Sequence, residues 1–188
     1  MPQKTDEQIA QDVQNGDVHA FAFLVQRFQG KLLRYARKFL FGYDDAHDAV
    51  QEVFIKAYVN IRGFDVQRSF SSWIYRIAHN EFINIIKKRG REPVTFFDPD
   101  TIFPHPLSRN NPGNDLQNNE LKQVLDECLN QLDPKYREPL VLYYFEEMSY
   151  ETIAEIMRIP MSTVGVRLKR GREILTNIYN KSLNGNGK

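Results

Sequence analysis

The sequence of 188 residues is poor in cysteine and has no long apolar run, which argues against disulfide-rich and membrane-spanning proteins. It contains one cysteine, Cys128, so a disulfide framework and a cysteine-based four-ligand zinc site within the chain are excluded. This cysteine usage suits a reducing compartment. No apolar run approaches the length of a membrane span, and no signal-peptide core is found in the polar N-terminal stretch MPQKTDEQIAQDVQNGD. We therefore expect a cytoplasmic protein with no membrane insertion.

The sequence also lacks an excess of charge of one sign, since 25 Lys and Arg face 24 Asp and Glu for a net charge of +1. Any nucleic-acid site must then be a local basic patch that acids elsewhere offset. Such a chain should bind DNA poorly by itself, because non-specific affinity rises with the number of phosphates neutralised. Catalytic signatures are lacking too: there is no glycine-rich phosphate loop, and the four histidines are scattered at positions 19, 47, 79 and 105. We expect neither an enzyme nor a cofactor.

Helical periodicity dominates what is present. Strand alternation is nowhere sustained, whereas apolar residues recur at three- and four-residue spacing, which is the pattern of amphipathic helices. The series are Phe21, Leu24, Val25, Phe28, Leu32 and Leu33; then Ala46, Ala49, Val50, Val53 and Ala57; then Trp73, Ile74, Ile77 and Ala78. A hydrophobic content of 41% is enough for folded cores. The sequence predicts an all-α fold.

The composition changes between Glu92 and Asn119, where five prolines stand among many Asn and Asp residues. Proline excludes regular helix there and predicts a flexible linker. The helical pattern resumes at Glu120 and continues to about Tyr179. We therefore expect two small helical domains joined by a Pro/Asn-rich linker, with the ranges 1–92, 93–119 and 120–188.

A helix-turn-helix is predicted at MSYETIAEIMRIPMSTVGVRLKRGREIL, from Met148 to Leu175. Ser149 can cap a first helix that Pro160 ends, and Ser162 can cap a second. The packing side of the second helix carries Val164, Leu168, Gly171 and Leu175. The opposite side carries Thr163, Val166, Arg167 and Arg170, flanked by Lys169 and Arg172. The second helix of such a motif enters the major groove, although a helical hairpin with a solvated basic face remains the alternative.

An acidic helix face is predicted in DAHDAVQEVFIKAYVNI, from Asp45 to Ile61. Opposite its alanine and valine stripe lie Asp48, Gln51, Glu52 and Ile55. Carboxylates beside an isoleucine favour a protein partner with a basic surface, while a solvated helix with one exposed apolar residue is the alternative. A metal site at Asp44, Asp45, His47 and Asp48 is disfavoured, because acids are common at helix starts for electrostatic reasons.

Aromatic residues lead into a basic run in FSSWIYRIAHNEFINIIKKRGR, from Phe70 to Arg91. Aromatics alone would indicate core, but aromatics followed by cations also suit single-stranded nucleic acid, whose bases stack on rings. Trp73 has helical spacing with Ile77 and is expected in the core. Phe64 and Phe70 border the irregular stretch GFDVQRSFS, where a ring is expected to project.

Together, in this order, the three stretches resemble the bacterial sigma-70 family of RNA polymerase sigma factors, in its short extracytoplasmic-function (ECF) group. The family's DAEDLVQETFLRAW-like helix matches Asp45 to Tyr58, and its F..WL..IA.N......RR helix matches Phe70 to Arg89. Its P.GTVKSRL.RAR motif matches PMSTVGVRLKRGR. The resemblance covers nearly all of the chain apart from the linker and the ends. It implies transcription initiation, with core RNA polymerase, promoter DNA and an anti-sigma factor as partners.

The resemblance also implies site residues. The β′ clamp of core polymerase is assigned to Asp45, Asp48, Gln51, Glu52 and Ile55. Binding and melting of the −10 element are assigned to Phe64, Phe70, Tyr75, Arg76, Asn80, Lys87, Lys88 and Arg89. The −35 element is assigned to Ser162, Thr163, Val166, Arg167, Lys169, Arg170 and Arg172.

The second helix of the helix-turn-helix departs from the family pattern. Gly165 and Val166 replace the common Lys-Ser pair, and Gly171 replaces Ala. Each glycine destabilises a helix interior by roughly 0.5–1 kcal/mol relative to alanine. The sequence therefore predicts either a close backbone approach at Gly165 or a marginally formed helix.

Two alternatives share these features. A helix-turn-helix regulator of another class would need a receiver or ligand domain, and a polymerase-binding adaptor would never contact DNA. Geometry favours a role for polymerase as scaffold, because a flexible linker of this length spans roughly 30 Å while two turns of duplex cover about 70 Å. A free protein whose two domains pack together and do not bind DNA is then easily reached.

Overall fold

The structure is a computed structural model that describes residues 4–40, 46–90 and 115–185, apart from the side chains of 115–121 and 183–185. Throughout these ranges the chain forms α-helices and short 3-10 turns and contains no strand, which confirms the all-α prediction. The N-terminal domain contains α1 (Asp6–Gln14), α2 (Phe21–Leu40), α3 (Ala46–Asn60) and α4 (Phe70–Arg89). The C-terminal domain contains α5 (Asp115–Asn130), α6 (Pro134–Tyr144), α7 (Tyr150–Met157) and α8 (Met161–Gly185).

Polar caps fix where two helices of the N-terminal domain begin. Thr5 and Gln8 form a capping box at α1, in which each side chain accepts a hydrogen bond from the backbone N–H of the other. The hydroxyl of Ser69 accepts from the N–H of Ser72, 3.2 Å away, and starts α4. These caps satisfy donors that would otherwise lack partners at the helix starts.

The predicted apolar stripes form the core of the N-terminal domain. All five members of the alanine and valine stripe of α3 are buried, which lets α3 pack closely between α2 and α4. Aromatic rings fill the rest of this core: Tyr35 stacks on Phe39 and on Tyr75, each with ring centroids 5.7 Å apart. The periodicity therefore predicted the inward face of each helix.

The C-terminal domain contains the predicted helix-turn-helix, formed by α7 and α8. The Ser149 hydroxyl caps α7, and Arg158 ends it in the left-handed conformation at φ 52°. The prediction that Ser162 caps the second helix is wrong, because α8 begins one residue earlier, at Met161. The Pro160 carbonyl accepts from the N–H groups of the third and fourth residues after it, so the first turn closes on that carbonyl and not on a side chain.

The predicted linker ends earlier than its composition indicated. Helix α5 begins at Asp115, so residues 115–119 are helical and the prediction that helix resumes at Glu120 is wrong. Asparagine and glutamine hid the helix start because they weaken its apolar pattern, whereas the acid at its first position suits the helix dipole. The remaining residues of the predicted linker, 93–114, lie outside the described residues.

The two domains are in contact. Helix α6 packs against α2, and α7 packs against α4. Buried apolar residues of both domains form one continuous cluster. The helix-turn-helix of this chain thus packs against the N-terminal domain.

In the described ranges, no helix is both long enough and apolar enough to cross a membrane.

Candidate functional site

The acidic face of α3, defined by Asp48, Gln51, Glu52 and Ile55, is open to solvent. Asp48 and Gln51 are exposed, and Ile55 is 50% exposed. Glu52 lies 3.5 Å from Lys56, which also pairs with Glu81 on α4. Because Lys56 is shared between two acids, the face keeps a net negative charge. Asp45, the remaining residue predicted for this surface, lies outside the described residues.

An apolar extension of this face was missed by the sequence reasoning. Tyr58 is 43% exposed and Val59 is 71% exposed, and both lie one helical turn beyond Ile55. Their spacing of three and four residues from Ile55 was the available signal, since such residues share a helix face. The acidic face of α3 therefore continues into an apolar strip of the kind found at interfaces with other proteins.

The prediction that the Phe64 or Phe70 ring projects is wrong. Both rings are buried and meet edge to face with centroids 5.4 Å apart. Phe70 is the first residue of α4 and also packs against Phe28 of α2, again with centroids 5.4 Å apart. An aromatic ring at a helix start can lie beneath the helix as easily as beside it, and burial of its apolar area favours the former.

A cleft of about 320 Å³ lies where the loop before α4 meets that helix. It is lined by Gly63, Phe64, Asp65, Arg68, Ser69, Trp73 and Arg76, with Glu155 of α7 added from the other domain. Trp73, expected in the core, is half-buried: it packs against the Phe64 ring at 5.0 Å and also lines the cleft. The cleft combines an aromatic wall with two arginines.

The remaining −10 residues lie along α4 in different environments. Tyr75 is buried, and its hydroxyl donates a hydrogen bond to Glu146 at 2.6 Å, so its ring is not available to a base in this arrangement. Burial, reinforced by Glu146, raises the pKa of Tyr75. Arg76 is half-buried and Asn80 is exposed. The last turn of α4 exposes the basic residues Lys87, Lys88 and Arg89.

The basic face of α8 lies opposite its packing side. Val164, Leu168 and Gly171 are buried against α6 and α7. Around the other side, Thr163 and Arg167 are half-buried, and the exposed residues are Ser162, Val166, Lys169, Arg170 and Arg172. The structure therefore brings all the predicted −35 residues together on one helix, as the wheel indicated.

The two glycines of α8 have different surroundings. A Cβ added at Gly171 would lie 3.0 Å from Leu140 Cδ1 and 3.2 Å from the Tyr136 carbonyl oxygen. A Cβ at Gly165 would meet only ordinary contact, 3.6 Å from Tyr150 Cε2. The close approach predicted for Gly165 therefore occurs at Gly171, where α8 crosses α6.

The described residues contain no group of three or more His, Cys, Asp or Glu that could hold a metal ion. Two members of the disfavoured metal candidate, Asp44 and Asp45, lie outside those residues.

Comparison with known proteins matches both domains. The family model described as Sigma-70 region 2 matches residues 24–92, and the one described as Sigma-70, region 4, matches residues 122–175. The chain is 36% identical over 171 residues to the ECF RNA polymerase sigma factor SigW of Bacillus subtilis, covering 87% of this chain and 90% of that protein. This chain belongs to the ECF sigma factors.

Solved structures of sigma factors share the fold. CnrH in complex with the cytosolic domain of CnrY has a TM-score of 0.71 at 25% identity, covering 95% of this chain and 99% of CnrH. The sigma factor RpoE in complex with the anti-sigma factor NepR, from Bartonella quintana, has a TM-score of 0.66 at 27% identity, covering 85% of this chain and 96% of RpoE.

Family membership confirms the predicted function. As an ECF sigma factor, the chain is a promoter-specific transcription initiation factor that acts through RNA polymerase. Sigma factors are initiation factors and not enzymes. A helix-turn-helix regulator of another class is therefore the wrong reading of the C-terminal domain.

Proposed function

We propose that this sigma factor uses three separate surfaces. The acidic face of α3 binds the β′ clamp of core polymerase, the cleft beside α4 binds and opens the −10 element, and the basic face of α8 reads the −35 element. The observation that carries the proposal is α3 itself, whose whole apolar stripe is buried while its acidic face is exposed in the folded-up chain.

The proposed binding of α3 to polymerase depends on both the charge and the apolar area of its acidic face. An exposed face that combines Asp48 and Glu52 with a half-exposed Ile55 suits a partner with a basic rim and an apolar centre. The apolar strip of Tyr58 and Val59 widens that surface. Opposite charges would steer the encounter, and the apolar residues would supply the buried area.

The −10 step relies on the cleft and on the surface of α4. Melted bases need a ring or a pocket that captures them, and a base–aromatic stack contributes about 1–3 kcal/mol. Trp73 supplies the partly exposed ring, and Arg68 and Arg76 supply the cations. Exposed Asn80 carries an amide that can hydrogen-bond a base edge. Phe64 and Phe70 support this surface from beneath and do not stack on bases.

The −35 step relies on the side chains of α8 that point away from the core. Arg167 and Arg170 can form bidentate hydrogen bonds with guanine, while Val166 can contact a thymine methyl group. Lys169 and Arg172 flank them and suit phosphates. Gly171 allows α8 to lie close to α6, so the helix is held firmly despite two glycines.

The partners follow from the same surfaces. The two domains touch in this structure, whereas elements two helical turns apart lie about 70 Å from each other on DNA. Polymerase must therefore separate the domains and act as their scaffold. An anti-sigma factor is the proposed regulatory partner, supported by the complexes in which similar sigma factors were solved. The proposed site of action is the cytoplasm, where polymerase meets the promoter.

The first test measures binding to purified core polymerase. The variant Asp48→Arg with Glu52→Arg reverses two charges on the acidic face and should weaken binding by several kcal/mol, as like-charge contacts do. The matched control reverses two exposed acids of the other domain, Glu127→Arg with Glu173→Arg. A pull-down in which both variants bind equally well would remove the α3 assignment.

The second test separates a promoter-opening factor from an adaptor. Holoenzyme assembled with this chain is incubated with promoter DNA, and unpaired thymines are detected with permanganate. Holoenzyme should produce a bubble at the −10 element that core polymerase alone lacks. Polymerase binding without a bubble would leave the adaptor as the function.

A further inference from the structure

The C-terminal domain buries three charged side chains where it meets the N-terminal domain. Arg137 is 8% exposed and Glu138 is 1% exposed, and both lie on α6. Glu146 lies just after α6, and its side chain is 1% exposed. Charged groups are seldom buried unless they are paired, so the partners of these three decide what the contact between the domains does.

The partners of both carboxylates lie on the N-terminal domain. Glu138 accepts a hydrogen bond from the hydroxyl of Tyr35 on α2 and contacts Nδ1 of His79 on α4 at 2.5 Å. Glu146 accepts from Arg34 on α2, with distances of 2.7 Å to Nε and 3.0 Å to Nη2, and from Tyr75 on α4. Each acid therefore joins two helices of one domain to the other domain.

Arg137 connects the domains through a helix end. Its Nη1 donates to the Phe39 carbonyl at 3.0 Å, one residue before α2 ends at Leu40. The last carbonyls of a helix lack backbone donors and carry partial negative charge, so a cation is favourable there. Nη2 donates to the Leu132 carbonyl within the C-terminal domain at 3.0 Å, which holds the guanidinium in place.

The two tyrosines remain donors at neutral pH. Burial raises the pKa of Tyr35 and of Tyr75, and the neighbouring carboxylates raise both further. The hydrogen bond to Glu146 also raises the pKa of Arg34. Tyr35, Tyr75 and Arg34 thus keep their protons and donate to the two carboxylates charge-assisted hydrogen bonds, which are stronger than neutral ones.

We infer that these contacts form a latch between the domains, which holds the free sigma factor closed with α7 against its −10 cleft. The latch consists of Glu138, Glu146 and Arg137 on one side and Tyr35, Tyr75, His79 and Arg34 on the other. The obstruction is visible at the cleft: α7 packs on α4, and Glu155 of α7 adds an acidic side chain to the cleft lined by Arg68 and Arg76. This inference rests on the proposed −10 role of that cleft.

The chemistry of the latch suits a reversible device. Buried ion pairs add little net stability because water solvates the same groups when the pairs separate, yet removing one partner strongly destabilises the state that buries the other. Contacts between domains of one chain are commonly polar for this reason. The polar contacts therefore add little to the free energy that polymerase must supply to separate the domains, while their hydrogen bonds fix a single closed geometry.

The test removes two hydroxyls and keeps both rings. Tyr35→Phe with Tyr75→Phe preserves the stacking of positions 35, 39 and 75 and leaves each carboxylate without one donor. The control Tyr143→Phe with Tyr144→Phe removes two hydroxyls from the exposed surface of the C-terminal domain. A second latch variant, Arg34→Ala, changes a side chain that is 48% exposed and so does not endanger the core.

The first measurement is the distance between the domains in the full chain. Fluorescent labels on cysteines introduced at exposed Gln26 of α2 and Asn177 of α8 report it by energy transfer. Wild type and control should show one short distance. Both latch variants should raise the ratio of open to closed molecules by about tenfold or more, because hydrogen bonds to charged groups are strong enough to shift an equilibrium that far. An open wild type, or latch variants that stay closed, would overturn the latch.

The second measurement is binding of a labelled pool of random single-stranded octanucleotides, followed by fluorescence anisotropy. Latch variants should bind the pool severalfold more tightly than wild type and control, because α7 no longer lies against the cleft. Opening with no gain in binding supports the latch as a domain lock and contradicts the −10 assignment of the cleft. The two proposals therefore fail in distinguishable ways.

Discussion

The acidic face of α3 and the surface of α4 belong to the same domain but differ in access. The α3 face is open in the folded-up chain, with Ile55 half exposed. On α4, Tyr75 hydrogen-bonds to the C-terminal domain, and the cleft beside Arg76 is shared with Glu155 of α7. Under the roles proposed for these surfaces, the closed molecule can meet polymerase through α3 but must open before its cleft meets the −10 element.

The difference has a physical origin in what each surface contacts. The exposed residues of α3 carry carboxylates and apolar groups that suit a surface outside the chain. Of the aromatic residues of α4, Phe70 and Phe82 point into the core and Tyr75 points toward a buried acid. Trp73 is half-buried in the wall of the cleft that Glu155 of α7 also lines. The proposed order of binding, polymerase first and DNA second, follows from the packing of α4 and the exposure of α3.

Phe70 belongs to the core beneath the cleft, and its removal should have the largest effect on the molecule. Phe70→Ala should lower the free energy of unfolding by about 3–5 kcal/mol, because a fully buried ring is lost and a cavity remains. Urea unfolding followed by circular dichroism measures it. Phe23→Ala is the matched control, since Phe23 is 59% exposed. Equal losses in the two variants would show that the Phe70 ring is not core.

One variant on each helix should separate the role of α3 from that of α4. Ile55→Ala should weaken core polymerase binding by about 1–3 kcal/mol through lost apolar burial and leave strand opening intact once polymerase is saturated. Asn80→Ala should leave polymerase binding unchanged and reduce the permanganate signal at the −10 element, by about 1–3 kcal/mol for one base contact. Variants that each impair both steps would erase the division between the two surfaces.

The basic face of α8 in the other domain should contain both base-reading and phosphate-binding side chains. Arg167→Ala should weaken promoters unequally according to their −35 sequence, because a bidentate base contact discriminates by about 1–3 kcal/mol. Lys169→Ala, on the flank of the same helix, should weaken all promoters alike and make binding less sensitive to salt. A uniform loss for Arg167→Ala would assign that side chain to phosphate. Transcription from a set of −35 variants measures both.

Substitutions at the two glycines of α8 should cause the smallest changes, and the two changes in stability should have opposite signs. Gly171→Ala should destabilise the domain by about 1 kcal/mol or more through overpacking against Leu140 and the Tyr136 carbonyl. Gly165→Ala should stabilise it by about 0.5–1 kcal/mol, because alanine is the better helix former and its methyl group fits the space beside Tyr150. Thermal unfolding of the two variants checks this, and the same sign for both would contradict the crossing geometry at Gly171.

Local sequence patterns were enough to predict the all-α fold, the inward faces of the helices and the family. The alanine and valine stripe of α3 and the packing side of α8 were readable because a helix repeats every 3.6 residues and therefore reports its apolar face locally. The exposed acidic face and the basic face of α8 followed as the opposite sides of those stripes. Both depend on residues close to one another in the chain.

Which polar side chains are buried could be learned only from the contacts between the domains. Glu138 and Glu146 look like ordinary surface acids in the sequence, yet the side chains of both are buried against residues of the other domain, as far as 112 positions away in the case of Arg34 and Glu146. Phe64 and Phe70 border an irregular loop, and only the packing of α2 against α4 shows that their rings point inward. Periodicity identifies the apolar face of a helix, but it carries no information about which distant segment lies against the polar one, because that choice is made by contacts between domains.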